Sequence, residues 1–134
     1  MNWDSNLECG IEQIDAEHKS LVRMVNEMLE ACKTGQAKEA GSEALAFLAD
    51  YVVTHFAHEE WCMIQSNYPD YKKHKRIHED FATNFLSLKN THDTSDDTLA
   101  ISLEINRTLT SWLLNHIKVT DFRFAQYYKE NMLR

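Results

Sequence analysis

Residues 55–78 read HFAHEEWCMIQSNYPDYKKHKRIH, and this stretch decides the fold. His55 and Glu59 lie four residues apart before a turn at residues 66–69, and His74 and His78 lie four residues apart after it. Side chains at positions i and i+4 share one face of a helix, so each pair can reach a common point. The stretch therefore predicts a helical hairpin with two pairs of potential metal ligands facing each other.

The depths of these side chains in the predicted bundle also agree. Residues equidistant from a turn lie at similar depth, because each helical residue rises about 1.5 Å. His55 and His78 are equidistant from the turn at residues 66–67, as are Glu59 and His74. His18 and His55 are equidistant from residues 36–37, and His74 and His116 from residue 95. Four helices thus bring potential ligands to one level, which scattered surface histidines would rarely do.

The last ligand pair has a different spacing. Asp121 follows His116 by five residues, which rotates it by roughly 140° in a regular helix. We therefore expect the fourth helix to end or bulge between these two residues.

Apolar periodicity and turn residues predict an all-α fold with four long helices. The chain has only 3 Gly and 1 Pro, too few for the frequent turns of a β-sandwich or barrel. We expect an antiparallel up-down-up-down four-helix bundle forming one domain over residues 1–134. The chain is predicted to begin with an extended arm (1–14), followed by a first helix that is N-capped by Asp15 and ends near residue 33. Three further long helices are predicted at about 39–65, 69–90 and 98–118, with Pro69 near the start of the third helix. A short C-terminal helix (121–134) follows.

Charge and composition exclude several classes of partner. The net charge of -7, without a large basic cluster, argues against nucleic acid. No stretch is long and apolar enough for a membrane span or a signal peptide, so a cytoplasmic protein is expected. Three widely spaced cysteines fit free thiols in a reducing compartment. We expect a monomer, because no exposed apolar stripe is evident in the sequence.

Three further residues have alternative interpretations. His58 points about 60° away from the direction of His55 and is predicted to be peripheral. His92 falls in a predicted loop and should face solvent. Cys62 lies on nearly the same stripe as His55, and a small core residue is favoured over a redox-active thiol near the metals.

The donor set indicates a dinuclear metal site. Imidazole and carboxylate suit iron, zinc or manganese, and seven donors are too many for one tetrahedral zinc. Two carboxylates can bridge two metals about 3.5–4 Å apart. With a bridging hydroxide, the seven side chains fill roughly eleven of the twelve positions of two octahedral metals, which leaves one position open for a small ligand.

The sequence resembles the hemerythrin family, especially its bacterial single-domain type. The resemblance covers nearly the whole chain and rests on HxxxE at His55, HxxxH at His74 and HxxxxD at His116. Further shared positions are Gly10, Ile11, Ile14, Asp15, His18, Phe56, Glu60, Met63, Tyr68, Pro69, Trp112, Leu113 and Ile117. Cys62 departs from the larger aliphatic residue that related sequences more often carry, which bears on pocket shape and autoxidation.

The resemblance implies reversible dioxygen binding by two iron ions with a bridging oxo or hydroxo group. One iron would be bound by His74, His78 and His116. The other would be bound by His18 and His55 and would keep the open position. Glu59 and Asp121 would bridge the two irons, and Trp112 and Ile117 would form the wall of the oxygen pocket or simply pack in the core.

Two other functions remain open at this point. One is a di-iron oxidoreductase, such as a ferroxidase, an oxygenase or a peroxidase. Enzymes of the ferritin-like class typically use Glu-x-x-His pairs, which are absent among these candidates, so the sequence favours an oxygen carrier that is not an enzyme. The other is an interaction module that senses iron or oxygen. A metal that only stabilises the bundle is disfavoured by the predicted open position.

Overall fold

The computed structural model describes residues 3–94, 96 and 98–132. The described helices are α1 (Glu12–Lys33), α2 (Ala37–Gln65), α3 (Tyr71–Thr94), α4 (Thr98–Asn115) and α5 (Phe122–Met132). A short 3₁₀ turn (Ser5–Leu7) precedes α1, and a π-helix (His116–Asp121) connects α4 to α5. The predicted all-α class is thereby confirmed.

The four long helices pack as an antiparallel bundle. α1 packs on α2 and α4, and α3 packs on α2 and α4. Contacts across the bundle fit antiparallel neighbours: the Asn106 side chain donates to the Val25 carbonyl at 2.7 Å, and the Phe81 and Trp112 rings stack with centroids 4.0 Å apart. The predicted four-helix bundle is confirmed.

Two C-terminal caps of the same kind set the lengths of α1 and α2. At the end of α1, Gly35 adopts a φ of 79° and the amide of Gln36 donates to the Ala31 carbonyl at 2.9 Å. At the end of α2, Asn67 adopts a φ of 56° and the amide of Tyr68 donates to Met63 at 2.9 Å. Both are Schellman motifs, in which a left-handed residue closes the helix. These two turns fix the register between α1, α2 and α3.

The N-terminal segment differs from the prediction. α1 begins at Glu12, and Asp15 lies inside its first turn, so Asp15 is not the N-cap. The Asp15 carboxylate instead accepts hydrogen bonds from the amides of Cys9 and Gly10, at 2.8 and 3.2 Å. The positive φ of Gly10 (92°) turns the chain into the helix earlier than the capping pattern indicated. Residues 1 and 2 of the predicted arm lie outside the described part.

The third helix is longer at its C-terminal end than predicted, and it starts two residues after Pro69. α3 runs to Thr94, and it includes His92, which is only 3% exposed. The prediction of a solvent-exposed loop histidine is therefore wrong. The polar run that suggested a loop forms a last helical turn, where Thr91 and Thr94 donate hydrogen bonds to carbonyls one turn back.

The predicted bulge between His116 and Asp121 is confirmed. The chain does not end its helix there but widens into a π-helix and continues as α5. One extra residue per turn is the feature that places residues five apart on one side of a helix. The short C-terminal helix is therefore a continuation of α4 rather than a separate element.

Two apolar clusters fill the interior. The larger one draws on all four long helices: Leu21, Val25, Met28, Leu45, Leu48, Val52, Phe56, Phe81, Phe85, Ile105, Leu109 and Leu113. The smaller one joins the N-terminal segment, the start of α1, the end of α2 with its following turn, and α5: Cys9, Ile14, Cys62, Met63, Tyr68, Phe124 and Ala125. Along the chain, the seven predicted ligand residues lie between members of the larger cluster and members of the smaller one. The fold thus encloses a polar layer between two apolar regions.

The surface of α2 carries exposed apolar side chains. The exposed fraction is 63% for Val53, 59% for Trp61 and 52% for Ile64. Together with Ala57, which is also exposed, these residues lie on one face of the helix. The premise that no apolar stripe is exposed is therefore wrong, and the monomer remains a prediction. Within the described residues, no helix combines the length and apolarity needed to cross a bilayer.

Candidate metal centre

The structure brings all seven predicted ligand residues together in the polar layer. They form two groups whose potential ligand atoms lie within 4.8 Å of one another. One group contains three histidines and the other contains two, and Glu59 and Asp121 belong to both. The three-histidine group comprises His74, His78 and His116; the two-histidine group comprises His18 and His55.

The distances between ligand atoms fit a shared centre. From Asp121, Oδ2 lies 2.9 Å from His18 Nε2, and Oδ1 lies 3.1 Å from His74 Nε2 and 3.0 Å from His116 Nε2. From Glu59, Oε1 lies 3.1 Å from His78 Nε2 and Oε2 lies 3.7 Å from His55 Nε2. Each carboxylate thus directs one oxygen to each histidine group.

The buried polar atoms of this layer lack the partners that a folded protein normally supplies. None of the seven residues is more than 3% exposed. Both carboxylate oxygens of Glu59 and of Asp121, and the Nε2 atoms of His18 and His74, have no hydrogen-bond partner with suitable geometry. Leaving such groups unsatisfied costs several kcal/mol in each case. Metal ions between the nitrogen and oxygen atoms would satisfy them, so the residues present fit a metal centre.

The pKa values of the buried groups also indicate a metal centre. Burial favours a neutral imidazole, but the adjacent carboxylates of Asp121 and Glu59 outweigh it, raising the pKa of His18 to about 10 and that of His116 to about 9. Burial also opposes ionisation of the two carboxyl groups. The surrounding imidazoles nevertheless hold the pKa of Glu59 and that of Asp121 well below the usual range. Without metal, protons must supply the positive charge that this layer requires.

Aromatic rings cover the three-histidine group. The Phe56 ring stacks on His78 with centroids 3.8 Å apart and planes 2° apart. The Trp112 ring stacks on His116 at 4.3 Å. The described ring contacts of Trp112 are with this group and with Phe56 and Phe81, and not with His18 or His55. Ile117, the other predicted wall residue, is fully buried.

Two glutamates outside the predicted ligand set accept hydrogen bonds from predicted ligand histidines. His55 Nδ1 donates to Glu17 at 2.8 Å, and His78 Nδ1 donates to Glu60 at 2.9 Å. These two contacts were not among the features predicted from the sequence. The depth rule could have found them, because residues 17 and 55 are equidistant from residue 36 and residues 60 and 78 from residue 69, both within turns.

His58 and Cys62 adjoin the centre without joining either group. His58 is peripheral, as predicted, with a side chain 23% exposed, and its Nδ1 donates to Glu17. Cys62 is buried in the smaller apolar cluster, which agrees with the favoured core role. Its Sγ also lies 3.7 Å from His58 Nε2. Burial, together with the nearby negative charges of Glu17 and Glu59, raises the pKa of the Cys62 thiol.

Comparison with known proteins gives one consistent match. Residues 9–128 match the family model described as the hemerythrin HHE cation binding domain. The chain is 32% identical to the bacteriohemerythrin of Stenotrophomonas maltophilia over 97% of this chain and 82% of the relative. It is 32% identical to the myohemerythrin of Theromyzon tessulatum, over 91% and 88%. A crystal structure of a leucine-to-phenylalanine mutant superposes with a TM-score of 0.82 at 26% identity, covering 94% of this chain and 95% of the other.

Proposed function

The chain belongs to the hemerythrin family, and we propose that it binds dioxygen reversibly at two iron ions held in the polar layer. The observation that carries the proposal is the sharing of both carboxylates by two groups of buried histidines. A shared carboxylate can bridge two metals, whereas two independent mononuclear sites would not need to share both. The matched family model is itself a cation-binding domain.

The side chains divide into two coordination sets in this proposal. His74, His78 and His116 would hold one iron, and His18 and His55 would hold the other. Glu59 and Asp121 would be shared by the two, together with an oxo or hydroxo group. The iron held by two histidines has one protein ligand fewer, so it would be the one to accept a small ligand.

Iron in its reduced state would supply the electrons that dioxygen takes up on binding and returns on release. The protein holds the five imidazoles in place, and Glu17 and Glu60 fix two of them through Nδ1. The apolar clusters above and below the layer exclude water and so limit proton leakage into the site. A set rich in neutral imidazole stabilises highly oxidised iron less than a carboxylate-rich set, which favours carriage of oxygen over enzymatic oxidation.

Three free cysteines among the described residues support a reducing compartment such as the cytoplasm. We also keep the single domain and the monomer as parts of the proposal. Sedimentation of the purified protein across a concentration range tests the monomer, and concentration-dependent association through the exposed apolar face of α2 would contradict it.

Metal analysis and spectroscopy test the function. Purified protein should contain two irons per chain, and air added to the reduced protein should produce a visible absorption band that disappears under vacuum. Zinc alone, with no response to oxygen, would refute the proposal. Irreversible bleaching with turnover of a substrate would indicate an enzyme instead. His74→Ala should abolish the band, while Lys72→Ala, an exposed position on the same helix, should retain it.

A further inference from the structure

We propose that the two halves of the metal centre are positioned independently, by Glu17 in the two-histidine half and by Glu60 in the three-histidine half, and that His58 acts only on the first. The inference rests on the proposed two-metal centre and concerns residues outside its ligand set. It makes Glu17, Glu60 and His58 positioning residues.

The two glutamates make equivalent contacts. Each accepts a hydrogen bond from the Nδ1 of one ligand histidine, at 2.8 Å for Glu17 and His55 and at 2.9 Å for Glu60 and His78. These bonds select the tautomer with Nε2 free, and in both histidines Nε2 faces Glu59. A carboxylate on the far nitrogen fixes the ring and strengthens the near nitrogen as a ligand. The two contacts therefore act on different metals.

The surroundings of the two glutamates differ. Both oxygens of Glu17 lie within 3.0 Å of His58 Nδ1, so His55 and His58 share one carboxylate. These two donors outweigh the effect of burial and lower the pKa of the Glu17 carboxyl group. Glu60 makes its described side-chain hydrogen bond with His78 alone. His58 therefore restrains Glu17 and has no counterpart at Glu60.

His58 itself is restrained on its other side. Its Nε2 lies 3.7 Å from the buried Cys62 Sγ, one turn further along α2. The imidazole is partly exposed, whereas His55 is fully enclosed. The series Cys62, His58, Glu17 and His55 thus connects the surface of α2 to one half of the centre. Removing His58 should loosen Glu17, and through Glu17 only the His55 ring.

The rate at which metal is lost measures this positioning without any oxygen chemistry. Protein loaded with two cobalt(II) ions is mixed with excess chelator, and release is followed by the cobalt absorption. Glu17→Ala should release one ion roughly 10 to 100 times faster than the wild type and leave the other nearly unchanged. Glu60→Ala should accelerate release of the other ion. Glu17→Gln should restore slow release, because its amide oxygen still accepts from His55.

A double-mutant cycle isolates the role of His58. His58→Ala alone should accelerate release of the same ion that Glu17→Ala affects. It should have no further effect when Glu17 is already replaced by Ala, and its effect should add to that of Glu60→Ala. His58→Gln, which keeps an N–H donor, should restore slow release. Glu27→Ala, an exposed glutamate on α1, serves as the matched control with unchanged rates.

Three results would overturn the proposal. The first is unchanged release of both ions from His58→Ala. The second is equal acceleration by His58→Ala with and without Glu17. The third is equal acceleration of both ions by Glu17→Ala. If instead the wild type takes up fewer than two cobalt ions, the two-metal centre itself fails, and the proposal fails with it. The two failures are therefore distinguishable.

Discussion

At the scale of single residues, the centre is a set of groups that the polypeptide cannot satisfy alone. The carboxylates of Glu59 and Asp121 are fully buried and lie among the imidazoles of five histidines. The sequence predicted these two residues and the five histidines, because two pairs follow the helical repeat and the histidines match in depth across the turns. The five-residue spacing of His116 and Asp121 required a bulge as well. It did not predict Glu17 and Glu60, because acidic residues beside ligands are equally common as solvated surface charges.

Metal uptake should release protons. The raised pKa values of His18 (about 10) and His116 (about 9) mean that both imidazoles are protonated at neutral pH in metal-free protein. A bound metal requires the neutral imidazole, so binding should release about two protons and apparent affinity should rise with pH up to that range. A water that becomes the proposed hydroxo bridge would add a further proton to the two from these imidazoles. Calorimetry in buffers of different ionisation enthalpy measures the total number released. His18→Ala should reduce it by about one, and binding without proton release would contradict these pKa values.

The Phe56 ring should support both the core and the ligand beneath it. Phe56→Ala removes a buried ring stacked on His78, so we expect a loss of about 3–5 kcal/mol in unfolding free energy and faster loss of metal from the three-histidine half. Denaturant unfolding and chelator kinetics measure the two effects. Leu88→Ala, at the edge of the same cluster, should cost stability while leaving the metal-release rate unchanged. Equal release rates in both variants would show that the ring contributes packing alone.

At the scale of elements, the bulge was foreseeable and the helix ends were less so. A five-residue spacing cannot place His116 and Asp121 together in a regular helix, so a break or a widening was required. The start of α1 depends on Gly10 and on the hydrogen bonds that the Asp15 carboxylate accepts from the amides of Cys9 and Gly10. A capping pattern in the sequence does not reveal these contacts. The end of α3 was missed because burial of His92 depends on tertiary packing.

Deleting Val119 tests whether the centre needs the π-helix itself or only needs His116 and Asp121 on the same face. Without this half-exposed residue, His116 and Asp121 are four positions apart, so a regular helix places both side chains on one face. The same regular helix keeps α5 in its present orientation relative to α4. We expect this variant to bind two metals with little loss of stability. Deletion of Ser111, an exposed residue in the regular part of α4, should rotate everything after it by about 100° and abolish metal binding. Loss of metal from the Val119 deletion would show that the widened backbone itself is required.

At the scale of the whole molecule, the positions of the turns place the predicted ligands of the four helices at equal depth. For this reason the sequence could predict both the bundle and the location of the centre. The sequence could not predict the exposed face of α2, because an exposed apolar position has the same periodicity as a buried one. Only the packing of α2 against its neighbours distinguishes Trp61 from Phe56.

Metal removal should destabilise the fold strongly. The predicted ligands come from four helical elements, so the free energy of metal binding at the proposed centre would contribute directly to the free energy of folding. We expect the melting temperature to fall when a chelator removes the metal under non-oxidising conditions, and to recover when metal is restored. Differential scanning calorimetry measures the change. A His74→Ala variant should melt near the metal-free wild type and should not respond to added metal, whereas identical melting with and without metal would contradict the shared centre.

The polar layer between the two apolar clusters has a consequence for cooperativity. In metal-free protein the layer consists of charged and polar side chains, so the larger apolar cluster and the smaller one are not joined into a single apolar core. Each can then open on its own, as local unfolding units do. Amide hydrogen exchange should show α5 and the N-terminal arm exchanging before the middle of the bundle. With metal bound, the two regions should exchange together, so that occupancy of the centre determines whether the chain behaves as one folding unit or as two.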